Sequence, residues 1–280
     1  MHRVVLALLV LCLFVPFSAV AQEDLIEAVS ANYAAAHPGL ASYQVRLKTD
    51  KIAEMITIMT ANLPPDMVRP TEPELSKFWV RGNGFTIRAN GPVMPTMQQM
   101  IARFSEQFSV ELSAFLLPAE QQARRTALFK QAKTKSTDTV IGDERLHGVE
   151  IVFSKPTDLA GAFYGTSLGL PQRAVTRLVL DIDAQKRLLR QMVIETEGGA
   201  RLIADIRHAN LPGVPLPSEI RITSPDGHID ERFTTTFTEV AGFQLPARQE
   251  RQIRRPDRTE AFTVEFFDYV LTTTTDKKAP

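Results

Sequence analysis

From residue 175 to 271 the chain consists of short strand-like runs and turn signals, with nothing at helical spacing. The runs are "VTRLVLDID", "RLLRQMVIET", "ARLIADIRHA", "SEIRITS", "IDERFTTTFTEV", "RQERQIR" and "TEAFTVEFFDYVL". Between them lie Asp183-Ala184-Gln185, Gly198-Gly199, Pro225-Asp226-Gly227 and Pro256-Asp257, which carry hairpin chemistry. Connections this short force neighbouring strands to run antiparallel, so a β-meander is predicted over about 175–271. Strands twist with one hand, so seven in a row coil. A coiled sheet has a concave side that must be filled by side chains, helices or a ligand.

Within the meander one short pattern occurs twice: Gly213 with Leu216-Pro217, and Gly242 with Leu245-Pro246. Pro donates no ladder hydrogen bond and is tolerated at a strand's first residue, and Gly supplies the bend before it. Each copy therefore reads as a corner followed by a strand start, with the Leu dropping onto the buried face.

The first half is mixed. "EDLIEAVSANYAAAH" places Leu25, Val29 and Ala36 near one helical face and stops at His37-Pro38-Gly39. "SYQVRLKT" alternates as a strand, and "DKIAEMITIMTANLPPD" spaces Ile52, Met55, Ile56, Met59 and Leu63 as a helix. "KFWVRGNGFTIRANG" is a hairpin turning at Gly82-Asn83-Gly84. A helix-rich insert is predicted over about 94–133: a long apolar helix over 96–117, then a second opening at Pro118. A short strand pair follows, near "STDTVIG" and "RLHGVEIVF", and then the irregular "SKPTDLAGAFYGTSLGLPQ".

Residues 1–21 carry a basic start at Arg3, an apolar stretch broken by Pro16, and an Ala19-Val20-Ala21 ending. That is the layout of a cleaved secretory signal peptide, and the apolar run is shorter than the ~20 residues of a spanning helix. Residues 22–280 are then expected as a single exported domain. Cys12 is the only cysteine and falls in the leader, so neither a disulfide nor a thiol nucleophile is expected in the exported chain. The 32 basic and 32 acidic residues balance, which gives no overall field for nucleic acid.

Catalytic signals are thin: the sequence has no phosphate loop, nucleophile elbow or paired histidines on one helix turn. His147, His208 and His228 fall at separate strand ends and read as solvated, and Asp181 and Asp183 read as turn residues in water. Met94, Met97 and Met100 are spaced as soft Cu(I) ligands, but with no Cys or His beside them they read as packing. Arg248, Arg251, Arg254, Arg255 and Arg258, interleaved with Glu250 and Asp257, read as an edge strand blunted by charge.

An opening helix leading into a strand, apolar helices in the middle, "LVLDIDAQKRLLRQMVIETEGGARLIADI" and the two Leu-Pro turns together resemble the periplasmic lipoprotein-carrier superfamily, LolA and LolB-like. The resemblance implies an α+β fold: a strongly curved antiparallel β-sheet, an open half-barrel, with helices covering the concave face. It also implies a non-catalytic carrier for a hydrophobic ligand, a lipid or the acyl chain of a lipoprotein. No cofactor, metal or nucleic-acid partner is expected. A monomer meeting inner- or outer-membrane partners is expected, and the alternative is a periplasmic sensor or interaction module for a protein partner. The expected cavity has Met97, Met100, Ile101, Phe104 and Phe108 of the long helix on one side. Opposite them it has Leu178, Leu180, Ile220 and Ile222, then Phe233, Phe237, Phe262, Val264 and Phe266, from the sheet.

Overall fold

Turn chemistry alone orders most of the sheet. The computed structural model describes residues 19–62, 64, 71–91, 93–108, 116–211 and 215–274, without the side chains of 19–21, 59, 102–108 and 167. Its first strands are β1 (Leu40–Thr49), β2 (Glu74–Val80), β3 (Gly84–Asn90), β4 (Ala132–Ile141), β5 (Glu144–Thr157) and β6 (Val175–Asp183). They are followed by β7 (Leu188–Thr196), β8 (Arg201–His208), β9 (Pro217–Thr223), β10 (Asp230–Val240), β11 (Phe243–Arg255) and β12 (Arg258–Thr273). The helices are α1 (Ala19–Ala34), α2 (Asp50–Thr60), α3 (Pro95–Phe108) and α4 (Gln122–Phe129). No helix among the described residues is long and apolar enough to cross a membrane. The predicted leader lies outside the described residues up to position 18, and α1 begins at Ala19.

All twelve strands form one antiparallel sheet. From β4 to β12 they stand side by side in chain order, and β1 then pairs with β12, followed by β2 and β3. The sheet is not closed, because β3 and β4 remain its two edges. This is the expected curved, open α+β architecture, with five more strands than the meander alone supplies. The β1–β12 contact joins the chain's ends in register, Leu47 opposite Phe266 and Thr49 opposite Val264.

Register shows that one face runs through the whole sheet, since directly paired residues point to the same side. Val149, Leu180, Met192, Ala204, Ile222 and Glu231 form one such row from β5 to β10. Ile206, Ile220, Phe233, Arg251 and Phe262 form the next, from β8 to β12. The row through Leu47, Leu75 and Ala89 continues it to the edge. The four helices among the described residues pack on this inner side.

The Leu-Pro repeat is two corners of one kind. Pro217 opens β9 as expected, and the ladder slips by one residue between Glu219 and Pro217. Pro246 is not a strand start: β11 begins at Phe243, after Gly242 with its positive φ of 82°. The ladder there slips between Arg248 and Pro246. In both copies the bulge falls just after the Pro, where a missing N–H is tolerated. The preceding Leu216 and Leu245 are buried. Gly213 lies outside the described residues.

Candidate functional site

The inner face divides into two apolar clusters that differ in how completely they are covered. The first is closed. It contains Leu178, Leu180, Ile220, Ile222 and Phe233, at most 3% exposed. Above them lie Ile26, Val29 and Tyr33 of α1, Leu128 and Phe129 of α4, and the stretch from Leu159 to Leu170. That stretch, read from sequence only as irregular, contributes Leu159, Ala162, Phe163, Tyr164, Leu168 and Leu170 to the core. Among the described residues only Leu25, Ala132, Leu188 and Ile229 pack against this cluster partly exposed.

The second cluster is only half covered. Ile52 and Met55 of α2 and Met97 and Ile101 of α3 pack over Leu47, Leu75, Ile87, Val264 and Phe266. Eleven further apolar residues stand partly exposed around these, among them Trp79, Phe85, Met100, Phe243, Phe262 and Tyr269. Large apolar groups left half open on a concave surface mark a binding surface more often than a core does.

The sequence-predicted residues therefore fall in two places. Met97, Met100, Ile101, Phe262, Val264 and Phe266 belong to the half-open cluster, and Leu178, Leu180, Ile220, Ile222 and Phe233 belong to the closed one. Phe237 is partly buried on β10, and the side chains of Phe104 and Phe108 lie outside the described residues. The reason is connectivity. α3 follows β3 after four residues and packs back onto it, whereas α1 reaches across to β4 and β7.

At the rim, Trp79 stacks on Tyr43 with ring centres 5.2 Å apart, and Tyr269 meets Tyr43 edge-on at 5.5 Å. Beside Trp79 lies a cleft of about 220 Å³ lined by Ser30, Tyr33, His37, Arg81 and Leu117. Arg81 fixes this mouth by donating from Nε to the Leu40 carbonyl at 2.8 Å and from Nη2 to that of His37. Deeper, Lys77 is 1% exposed. Its Nζ lies 4.6 Å from the Phe85 ring centre, 5.6 Å from Tyr43 and 5.8 Å from Phe266. Sequence reading passed over Lys77 and Trp79, although both keep the period-two spacing that begins at Leu75.

A polar seam lies between the clusters. Arg251 Nε donates to Glu231 Oε1 at 2.8 Å, Nη2 reaches the same oxygen, and the guanidinium stands 4.6 Å over Phe233 and 6.0 Å from Phe262. Gly169, with φ at 68°, comes so close that a Cβ there would sit 3.4 Å from Glu231 Oε2. The arginine run is therefore not an edge strand, because β11 lies inside the sheet between β10 and β12. On the outer face its Arg254 joins Arg221, Arg232, Glu219 and Asp230 in a groove of ion pairs.

Three other expectations change. His208 is not solvated: burial pushes its pKa down to about 4, with Arg190 adding to the effect. Its Nε2 lies 2.9 Å from the Tyr33 hydroxyl. Asp181 is 2% exposed, and burial raises its pKa while the Thr139 hydroxyl opposes the shift. Met97 is buried in the half-open cluster whereas Met94 is 46% exposed ahead of α3, so the three methionines do not share one environment.

An unclosed, curved antiparallel sheet with helices on one face and a half-covered apolar floor defines an open-barrel α+β protein. No family model and no curated protein matches the sequence. Solved structures similar to it include a LolA superfamily protein from Nitrosomonas europaea, with 12% identity, 90% of this chain and 96% of that one covered, and a TM-score of 0.32. An outer membrane lipoprotein-sorting protein domain from Vibrio parahaemolyticus has 9% identity, 92% and 94% coverage, and a TM-score of 0.31. A DUF1329 family protein from Desulfovibrio piger has 8% identity, 90% and 93% coverage, and a TM-score of 0.28. The matches span nine-tenths or more of each chain, and TM-scores this low fix no site.

Proposed function

We propose that this chain is a non-catalytic periplasmic protein that binds and transports a hydrophobic ligand, a lipid or the acyl chain of a lipoprotein, on the half-open cluster. One observation carries the reading. On a single continuous sheet face, one half is sealed by α1, α4 and residues 159–170, while the other leaves Trp79, Phe85, Phe243, Phe262 and Tyr269 partly exposed. An exposed apolar surface of that kind gains free energy by taking up an apolar partner. The exported chain is taken to begin after Ala21 and to act as one domain.

Trp79 is the only tryptophan and stands at the rim, so its emission reports on ligand entry directly. A neutral acyl chain carrying bromine should quench it saturably, and unlabelled lipid should reverse the quenching. If Trp79 is neither quenched nor shifted, the carrier reading fails and a protein-binding module takes its place.

A further inference from the structure

We propose that the groove across β8 to β11 on the outer face of the sheet binds a doubly charged phosphate group, free or carried on a lipid head. Register builds it. Arg221 of β9 and Arg232 of β10 stand directly opposite each other, and Gln252 of β11 continues their row. Like charges at one pairing position oppose the pairing. Relief comes diagonally: Arg221 donates from Nε and Nη2 to the two oxygens of Asp230, at 3.0 and 3.2 Å, and Arg232 pairs with Glu219. A pair of threonines would hold the same strands together without the repulsion, so the two arginines need another reason to be there.

The charges are also layered. Glu219 and Asp230 have 15% and 26% of their side chains exposed, whereas Arg232, Arg221 and Arg254 have 48%, 50% and 63%. The carboxylates thus lie on the floor and the guanidiniums at the lip. Arg254 stands 4.0 Å from Asp230, whose oxygens already accept from Arg221. Arg207 is opposite Glu219, but that carboxylate pairs with Arg232, and Arg207 forms no ion pair among the described residues. Asp205, opposite Arg221, accepts from the Gln191 amide at 2.7 Å. Four guanidiniums against two carboxylates line a groove of about 310 Å³, which leaves an excess of two positive charges. A phosphate monoester at neutral pH carries close to two negative charges and three acceptor oxygens, and the planar guanidinium fork suits them. A carboxylate ligand would meet only half of the excess. The half-open cluster lies on the opposite face, so phosphate binding here and apolar uptake there are separate events.

The test is calorimetric titration at low ionic strength with inorganic phosphate, at a pH where it is a dianion, and with dimethyl phosphate, which carries one charge. The wild type should bind phosphate about tenfold more tightly than dimethyl phosphate. Arg207→Gln breaks no ion pair of the fold and should weaken phosphate binding about threefold or more. Arg221→Gln combined with Arg232→Gln should weaken it more than about tenfold, with acyl quenching of Trp79 unchanged. Flotation with phosphatidylcholine vesicles, with and without phosphatidic acid, separates the sources. Flotation that needs phosphatidic acid and fails in Arg207→Gln assigns a lipid head, and phosphate binding without flotation assigns a soluble ligand. Equal affinity for the two anions, equal affinity in wild type and Arg207→Gln, or binding of neither anion with no flotation would overturn the proposal. So would saturable binding of an acidic peptide that phosphate does not displace, which would point to a protein partner instead.

Discussion

Arg125 and Glu27 meet as a two-pronged ion pair across 98 positions of sequence, Nε to Oε1 and Nη2 to Oε2, each at 2.7 Å. Nη1 donates to the Pro118 carbonyl at 2.7 Å and the Ala162 carbonyl at 2.9 Å, and Nη2 also donates to Ser30 Oγ at 3.0 Å. All five guanidinium N–H groups are thereby used. Arg125 is fully buried, and its partners come from α1, from Pro118 at the head of the short turn Ala119–Gln121 that leads into α4, and from the 159–170 stretch. One side chain thus ties together the three pieces that seal the closed cluster.

Arg125→Met should therefore cost about 3–5 kcal/mol, because it strands a largely buried carboxylate and frees two carbonyls. Arg46→Met, whose pair with Glu74 is 41% and 64% exposed, should cost about 1 kcal/mol or less. Urea denaturation of both variants measures the contrast. Equal losses would mean that the covering pieces hold to the sheet without the arginine.

The Tyr33–His208 pair predicts an acid sensitivity. The Leu189 amide donates to the Tyr33 hydroxyl at 3.0 Å, and that hydroxyl is hydrogen-bonded to His208 Nε2 at 2.9 Å. The His208 pKa of about 4 when folded lies below the ordinary 6.5, so the unfolded chain binds the extra proton first. Stability from this site is complete above pH 6.5 and is lost as pH falls toward 4, by roughly 3 kcal/mol in total. His208→Phe should flatten the stability profile across that window. A profile unchanged by the substitution would sink the idea.

Asp181 has the opposite sign. Burial raises its pKa, so the folded chain holds that proton more tightly and ionisation at neutral pH works against folding. Its Oδ1 makes no hydrogen bond among the described residues, and it lies 3.0 Å from where a Cβ on Gly148 would be. Asp181→Asn should raise the thermal midpoint at neutral pH, with the gain shrinking as the medium is acidified. A lower midpoint at neutral pH would indicate that the carboxylate has a partner worth keeping.

Local signals made the meander legible: hairpin turns gave the order of β6 to β12, and period-two spacing correctly turned Leu178, Ile220, Phe233 and Val264 inward. The β1–β12 pairing was hidden because no turn joins those strands, so β11 looked like an edge when it is interior. The covering of the sheet was hidden for the same reason. Nothing local in "DLAGAFYGTSLGL" says that it lies on the inner face, and that placement decides which half is sealed. Lys77 was within reach of the strand period, since Leu75, Lys77 and Trp79 alternate with polar or outward positions. A charge at an inward position was the available signal.

The seam between the halves gives the last prediction. Glu231 is 4% exposed and Arg251 12%, and Arg255 stands 3.9 Å from the other carboxylate oxygen of Glu231. Two guanidiniums therefore share one carboxylate. Glu231→Gln would leave both cations facing a neutral amide in a buried seam, whereas Arg251→Met would leave Glu231 with Arg255 still near. The first should be the more destabilising, at about 3–5 kcal/mol, and the second should be milder. Replacing both removes two desolvated charges at once, so the double variant should be more stable than the sum of the single losses predicts, a coupling of about 1–3 kcal/mol. The measurement is a double-mutant cycle by urea denaturation, with bromine-labelled acyl quenching of Trp79 alongside. Additive losses would show that the pair does not act as a unit. A coupled loss with quenching intact would separate the seam's role in folding from ligand uptake in the half-open cluster beside it.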